Sequence, residues 1–166
     1  RNQQARKGTY LFDSQKIQEA ASSIIEAIGE DPNREGLAGT PRRIAAMYEE
    51  LFSGMGQDPA ELLATGFEEG HTEMVVLRDI PFASTCEHHF LPFFGTADIG
   101  YVPNGRVVGA SKLARALDVL ARRPQIQERL TKQLVDCIMD TLEPEGVGVV
   151  ISAEHLCISL RGTRKV

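Results

Sequence analysis

Apolar residues recur every three or four positions through the first fifty residues, a spacing typical of amphipathic helices. The first stripe covers 17–28, where Asp13 or Ser14 can cap the helix and Gly29 can end it. A second stripe covers 41–52. Each helix is expected to bury one face, and the two helices are expected to pack together or on a neighbour.

Capping residues mark where the next two helices begin. Thr40 precedes Pro41 at the start of the second stripe, and its hydroxyl can accept hydrogen bonds from the first free amides. Asp58 before Pro59 repeats this signal for a short helix. These helices predict the first of two parts of the chain, a helical region over residues 1–70.

The second part, residues 71–166, mixes strands with helices. Alternating or short β-branched runs indicate strands at 73–80, 95–102, 107–108, 147–151 and 156–160. Between them Ser111 is expected to cap one helix, and Pro124 is expected to start another whose stripe continues to Leu142. Strands, then two helices, then strands predict an α+β fold, in which both helices lie on one face of a sheet.

Composition limits the possible classes of protein. With 42% hydrophobic and 25% charged residues, the 166-residue chain can build a globular core. A net charge of −5 argues against a nucleic-acid partner and against attraction to anionic membranes. A membrane span needs about 20 continuous apolar residues, and neither such a run nor a secretory signal is recognisable, so a cytoplasmic location is expected. A start at Arg1 and a basic end are consistent with a fragment of a longer product.

Three cysteines make a poor disulfide framework. Cys86 lies three residues before His89 in a Cys-Glu-His-His run, and both side chains can reach one tetrahedral Zn²⁺ from a turn. His155 and Cys157 would point to the same side of a strand and could complete the site. Two thiolates and one imidazole leave a fourth position for water or substrate, as in catalytic zinc sites. Buried thiols with hydrogen-bonded histidines, or a disulfide joining Cys86 to Cys157, stay open, while Cys137 is expected in the core.

Other candidate ligands are charged or polar residues near helix starts. A helix N-terminus can bind phosphate, although the pattern alone favours a solvated helix face for Ser111, Lys112 and Arg115. Glu128, preceded by Gln127, could accept two N–H bonds from a guanine edge, but the pattern alone favours an exposed helical glutamate. Arg43 and Arg161 stay undecided between anion binding and solvation.

Several motifs in the same order resemble GTP cyclohydrolase I of the zinc-dependent bacterial and eukaryotic type. The similarity runs from about Ile17 to Arg164 and therefore covers nearly the whole chain. The motifs are Cys-Glu-His-His at 86–89, the segments 109–115 and 122–131, Ala-Glu-His-Leu-Cys at 153–157, and Arg161-Gly162.

The resemblance implies a reaction on GTP. The imidazole ring is opened by hydrolysis, C8 leaves as formate, and the product is 7,8-dihydroneopterin triphosphate, which begins folate or tetrahydrobiopterin synthesis. It also implies that Cys86, His89 and Cys157 bind Zn²⁺, which activates the attacking water. His88 and His155 become proton-transfer groups, a task that imidazole performs near neutral pH.

The resemblance also implies substrate contacts and an assembly. Glu128, helped by Gln127, would bind guanine, and the triphosphate would be held by Ser111, Lys112, Arg115 and Arg161, with Arg43 supplied from another subunit. The implied fold is of the tunnelling type, with an N-terminal helical hairpin and an antiparallel sheet that carries two helices on one face. Its barrel would be closed by oligomerisation into a decamer of two stacked pentamers, with active sites between subunits. The alternatives are a catalytically silent nucleotide-binding paralogue, or a related barrel enzyme acting on another purine or pterin.

Overall fold

The computed structural model describes residues 11–165. The chain divides between Gly56 and Gln57 into two compact units. Within residues 11–165, the first unit contains two helices and the second contains every strand.

Helix α1 (Ser14–Ala27) packs against α2 (Thr40–Leu51) in the first unit. The predicted cap and stop of α1 are confirmed, because Asp13 Oδ1 accepts from the Lys16 amide at 2.9 Å and Gly29 follows with φ +88°. The predicted cap of α2 is wrong. Gly39 occupies the N-cap position, and the Thr40 hydroxyl accepts from Arg43 Nη2 at 2.7 Å instead of from a backbone amide.

The buried face of α1 is narrower than its apolar stripe predicts. Ala21 and Ile25 are buried, whereas Ile24 is 63% exposed and Ile28 is 73% exposed. The helix therefore carries apolar side chains that the described chain leaves in contact with solvent.

The second unit contains four helices and six strands among the described residues. They are α3 (Ala60–Leu63), β1 (Phe67–His71), β2 (Val75–Cys86), β3 (Pro92–Val102), β4 (Gly105–Val107), α4 (Ala110–Ala121), β5 (Pro124–Gln125), α5 (Gln127–Leu142), β6 (Gly146–His155) and α6 (Leu156–Ser159). The predicted short helix before residue 64 is confirmed, and the Ala60 amide donates to Asp58 Oδ1 at 3.0 Å.

The main sheet has the strand order β5-β2-β3-β6. Strand β3 pairs antiparallel with β2 and β6, while β5 pairs parallel with β2, so the sheet is mixed rather than wholly antiparallel. Strands β1 and β4 form a separate antiparallel pair. The predicted α+β class is confirmed.

Helices α4 and α5 close the core against this sheet. The predicted inward positions of β3, Ala97, Ile99 and Tyr101, are all buried. The apolar stripes of the two helices are buried as predicted, at Leu113, Ala116, Leu117 and Leu120 in α4 and at Leu130, Leu134, Ile138 and Leu142 in α5. The sheet and both helices thus form the framework that positions the site.

Three local predictions are wrong. Pro124 does not start a helix; it pairs with Thr85 as part of β5, and α5 begins at Gln127. Ser111 does not cap α4, because Gly109 is the N-cap and no side chain bonds to the free amides. Residues 156–160 are not a strand, since the Leu160 amide donates to the Leu156 carbonyl in a helical turn.

Candidate metal centre and substrate site

The loop between β2 and β3 presents the Cys-Glu-His-His run. The Phe90 amide donates to the Cys86 carbonyl at 2.8 Å, and the Cys86 amide donates to the Leu91 carbonyl at 2.9 Å. Phe90 has φ +53°, a left-handed conformation that costs an L-residue about 1–2 kcal/mol. These contacts turn the chain sharply after Cys86 and place His88 and His89 in the loop.

Three predicted ligands converge at this loop. The ligand atoms of Cys86, His89 and Cys157 all lie within 4.8 Å of one another. The Cys86 Sγ to His89 Nδ1 distance is 3.9 Å. Cys86 is buried, Cys157 is half-buried and His89 is exposed. Solvent therefore reaches the group from the side of the His89 imidazole.

Cys157 reaches the group by a route that differs from the predicted one. His155 is the last residue of β6, whereas Cys157 belongs to the short helix α6. The prediction that both side chains share one face of a strand is therefore wrong for Cys157, although its thiol still meets Cys86.

The donor set fits a divalent metal ion. Burial and the neighbouring Cys86 thiol raise the pKa of Cys157, because a second negative charge is unfavourable there. A divalent cation between the two sulfur atoms would reverse that effect. All three cysteines are free thiols, and Cys137 lies in α5 outside the group.

His155 is held rigidly from two sides. Its ring stacks on the buried ring of Phe93, with centroids 4.7 Å apart and an interplanar angle of 2°. Its Nε2 lies 2.8 Å from Gln127 Oε1, and Gln127 Nε2 donates to the Ile151 carbonyl at 2.9 Å. Because the amide nitrogen of Gln127 is used as a donor, its oxygen accepts from His155 Nε2–H, which leaves Nδ1 to exchange a proton.

His88 is the more open of the two candidate proton-transfer groups. Its side chain is 65% exposed, and its Nε2 lies 3.7 Å from Glu87 Oε1. The rings of His88 and His89 meet edge to face with centroids 6.3 Å apart. Both predicted proton-transfer histidines are therefore close in sequence to predicted metal ligands: His88 directly precedes His89, and His155 lies two residues before Cys157.

The predicted substrate contacts in the second unit lie near the starts of two helices, α4 and α5, and after the end of α6. Glu128 is exposed in the first turn of α5, one residue after Gln127. At the start of α4, Ser111 and Arg115 are exposed and Lys112 is half-buried. Arg161 follows α6, and its positive charge weakly opposes the rise in the pKa of the Cys157 thiol.

Within residues 11–165, no hydrogen bond or ion pair joins the start of α4 to the Cys-His-Cys group. Arg43 lies in the first compact unit, where it contacts Thr40. The predicted phosphate site at α4 is therefore not linked to the metal ligands by a hydrogen bond or an ion pair among the described residues.

Sequence reasoning missed the pairing of Glu87 with Arg129. The guanidinium bonds both carboxylate oxygens, with Nη2 to Oε1 at 2.9 Å. This contact lowers the pKa of Glu87 and raises that of Arg129. The two residues are 42 positions apart, and no spacing rule links them. The stacking of Phe93 on His155 was missed for the same reason.

The fold and the donor set define an α+β protein with a candidate metal centre beside a helix start. The sequence model of a family described as GTP cyclohydrolase I matches residues 17–166. Relatives named GTP cyclohydrolase 1 include one from Dehalococcoides mccartyi, 60% identical over 93% of this chain and 83% of its own length. Another, from Halalkalibacterium halodurans, is 58% identical over 92% of this chain and 82% of its own length. The chain therefore belongs to the GTP cyclohydrolase I family and is an enzyme of that type.

Among the described residues, no helix is both long enough and apolar enough to span a bilayer.

Proposed function

We propose that this enzyme converts GTP and water to 7,8-dihydroneopterin triphosphate and formate at a Zn²⁺ ion held by Cys86, His89 and Cys157. The observation that carries the proposal is the convergence of these three ligand atoms within 4.8 Å in a chain of the GTP cyclohydrolase I family. Two thiolates and one imidazole match catalytic zinc sites that keep one position open.

Zinc bound there would supply an activated water molecule at neutral pH for hydrolysis of the imidazole ring. His155 holds a proton on Nε2 against Gln127 and presents Nδ1 for transfer. Phe93 keeps that imidazole in one plane. His88, which is exposed, can rotate to serve a second proton transfer on the ribose side.

Substrate binding is assigned to the charged residues around this group. Glu128 would accept two N–H bonds from the guanine edge, with Gln127 beside it. The triphosphate would be bound at the start of α4, where backbone N–H groups and side-chain charges favour anions, and by Arg161. The residues proposed at α4 are Ser111, Lys112 and Arg115.

The proposal extends to assembly and organisation. Arg43 would contribute to the triphosphate site from another subunit, within a decamer of two stacked pentamers in which the sheets close a barrel. Residues 71–166 would form the catalytic region and residues 1–70 the helical region. Solvent-exposed Ile24 and Ile28 support burial of α1 against other copies of the chain.

Product analysis tests the reaction. The purified protein is incubated with GTP, and formate and the fluorescent oxidised pterin are quantified with and without a chelator. Equal amounts of both products, lost on chelation and restored by Zn²⁺, are expected. Metal-loaded protein that binds GTP but releases neither product would contradict the proposal and favour the silent nucleotide-binding alternative.

Replacement of single cysteines tests the ligand set. Cys157→Ser is expected to abolish retention of zinc and activity together, measured by elemental analysis after gel filtration. Cys137→Ser is the matched control, because Cys137 lies outside the group, and it is expected to keep a full complement of metal. Normal zinc content in Cys157→Ser would refute its role as a ligand.

A further inference from the structure

The ion pair of Glu87 and Arg129 joins two segments whose relative position matters for the proposed reaction. Glu87 lies between Cys86 and His88 in the β2–β3 loop, and Arg129 follows Glu128 in the first turn of α5. The pair is bidentate, which fixes orientation as well as distance. A lysine could not reproduce this geometry, since it offers a single point of charge.

A backbone contact lies beside this ion pair. The Glu87 amide donates to the Gln125 carbonyl at 3.0 Å, where β5 runs parallel to β2. The loop is therefore tied to the start of α5 by its main chain at one point and by a forked side-chain contact at another. Two attachments restrict rotation of the loop about the strand end, which a single hydrogen bond would permit.

The position of the pair argues against a role mainly in stability. The side chains of Arg129 and Glu87 are 40% and 30% exposed, and ion pairs open to water contribute little to folding because water screens them. The geometry of a metal site is more sensitive, since outer contacts that orient ligands affect metal affinity strongly.

Direct contact of Arg129 with the triphosphate is also disfavoured by the geometry. Its two terminal nitrogens already bond the Glu87 carboxylate, which offsets its charge and occupies the fork that these two nitrogens would offer to a phosphate. The partner of Arg129 is the loop rather than the substrate.

We propose that Arg129 is a positioning residue that fixes the metal-binding loop to the first turn of α5, so that retention of zinc and binding of guanine support each other. This inference rests on the proposed function, because it takes Cys86 and His89 as zinc ligands and Glu128 as the guanine contact. Coupling of this kind is reciprocal: zinc should tighten GTP binding, and GTP should slow the release of zinc.

The experiment measures zinc release to a chromogenic chelator, with and without GTP, in the zinc-loaded full chain. Arg129→Met is expected to release zinc about 10-fold faster than the unmodified chain. It is also expected to lose most of the protection by GTP. Arg129→Lys, which keeps the charge without the fork, is expected to fall between the two. Lys132→Met is the matched control, since it removes an ion pair with Asp136 on the same helix, and it is expected to release zinc at the unmodified rate.

A double-mutant cycle separates the pair from its members. Because Glu87→Gln and Arg129→Met break the same contact, the double variant is expected to release zinc no faster than the faster single variant. If the double variant instead released zinc at a rate raised by the product of the two single effects, the two residues would act independently and the proposed pairing would be wrong. Circular dichroism checks that each variant is folded. If Arg129→Met does not fold, the comparison of Arg129→Lys with the unmodified chain provides the test.

The two proposals fail in different ways. An unmodified chain that retains no zinc would refute the proposed metal centre itself. An unmodified chain that retains zinc, together with Arg129 variants that release it at the same rate and with the same protection by GTP, would overturn the positioning role alone.

Discussion

Gln127 uses both ends of its amide inside the protein. Its nitrogen donates to the Ile151 carbonyl and its oxygen accepts from His155. The resemblance assigned Gln127 as a helper of Glu128 in binding guanine, and the structure adds that the same side chain orients a proposed proton-transfer group. A residue with both contacts already made is expected to affect the reaction step more than the binding of GTP.

Replacement of Gln127 distinguishes these roles. Gln127→Met is expected to lower kcat about 10- to 100-fold, because a misplaced reacting group is costly, while KM for GTP changes less than about twofold. Gln127→Glu, which retains an acceptor for His155, is expected to recover part of kcat. Steady-state kinetics of both variants provide the test, and a raised KM with unchanged kcat would instead indicate a guanine contact.

At the residue scale, the sequence predicted which candidate ligands would come together, but not which side chains would pair with each other. Cys86, His89 and Cys157 were recognisable because thiols and imidazoles at ligand spacing are uncommon. The contacts of Gln127 with His155 and of Glu87 with Arg129 span 28 and 42 residues. No local periodicity reports such contacts, so they could be found only once the fold was known.

Among the elements, length decided what could be predicted. Helices α1, α2, α4 and α5 have 12 to 16 residues, enough turns for an apolar stripe to emerge. Strand β5 has two residues, and its proline resembled the first residue of a helix. The alternation of Leu156, Ile158 and Leu160 resembled a strand, although the chain forms the short helix α6 there.

Strand β1 was missed for another reason. Its five residues are mostly exposed, so burial imposes no alternation on their sequence. Its pairing with β4 is also irregular, with a register shift between Glu68 and His71. A strand that is stabilised by backbone pairing alone leaves little trace in the pattern of apolar residues.

The close approach of β3 to β6 yields a prediction about stability. A Cβ at Gly95 would lie 1.9 Å from the Ser152 carbonyl oxygen and 2.8 Å from Ala153 Cα, both backbone atoms. Gly95→Ala is therefore expected to destabilise the protein by about 3 kcal/mol or to prevent its folding. Urea unfolding measures the loss.

Gly148→Ala is the control on the same pair of strands. No heavy atom lies within 4 Å of a Cβ placed there, so its free energy of unfolding is expected to change by less than about 1 kcal/mol. Equal stability of the two variants would show that β3 and β6 are farther apart than described.

For the whole molecule, the isolated chain leaves apolar and hydrogen-bonding surface uncovered. In the described sheet β6 pairs only with β3, and its Val150 is 67% exposed. An open edge and exposed apolar side chains are features that association commonly covers. The sequence could not count subunits, because periodicity within one chain carries no information about rotational symmetry between chains.

The proposed assembly predicts a mass in solution that is a multiple of 18.2 kDa. Native mass spectrometry is expected to give ten copies. Ile24→Lys combined with Ile28→Lys is expected to shift the distribution to smaller species, since both side chains are exposed and apolar, Ile24 in α1 and Ile28 directly after it. Ser23→Lys adds charge on an exposed position of the same helix and is expected to leave the mass unchanged. A monomer in the unmodified chain would refute the assembly.

The two-residue strand β5 also determines how motion at the site can be observed. The Glu87 amide hydrogen is shielded by the Gln125 carbonyl only while the start of α5 stays beside the loop. Its exchange for deuterium therefore reports each separation of those two segments, in the resting protein and during turnover, without any attached label. The exchange rate of this single amide would therefore show how often the site opens.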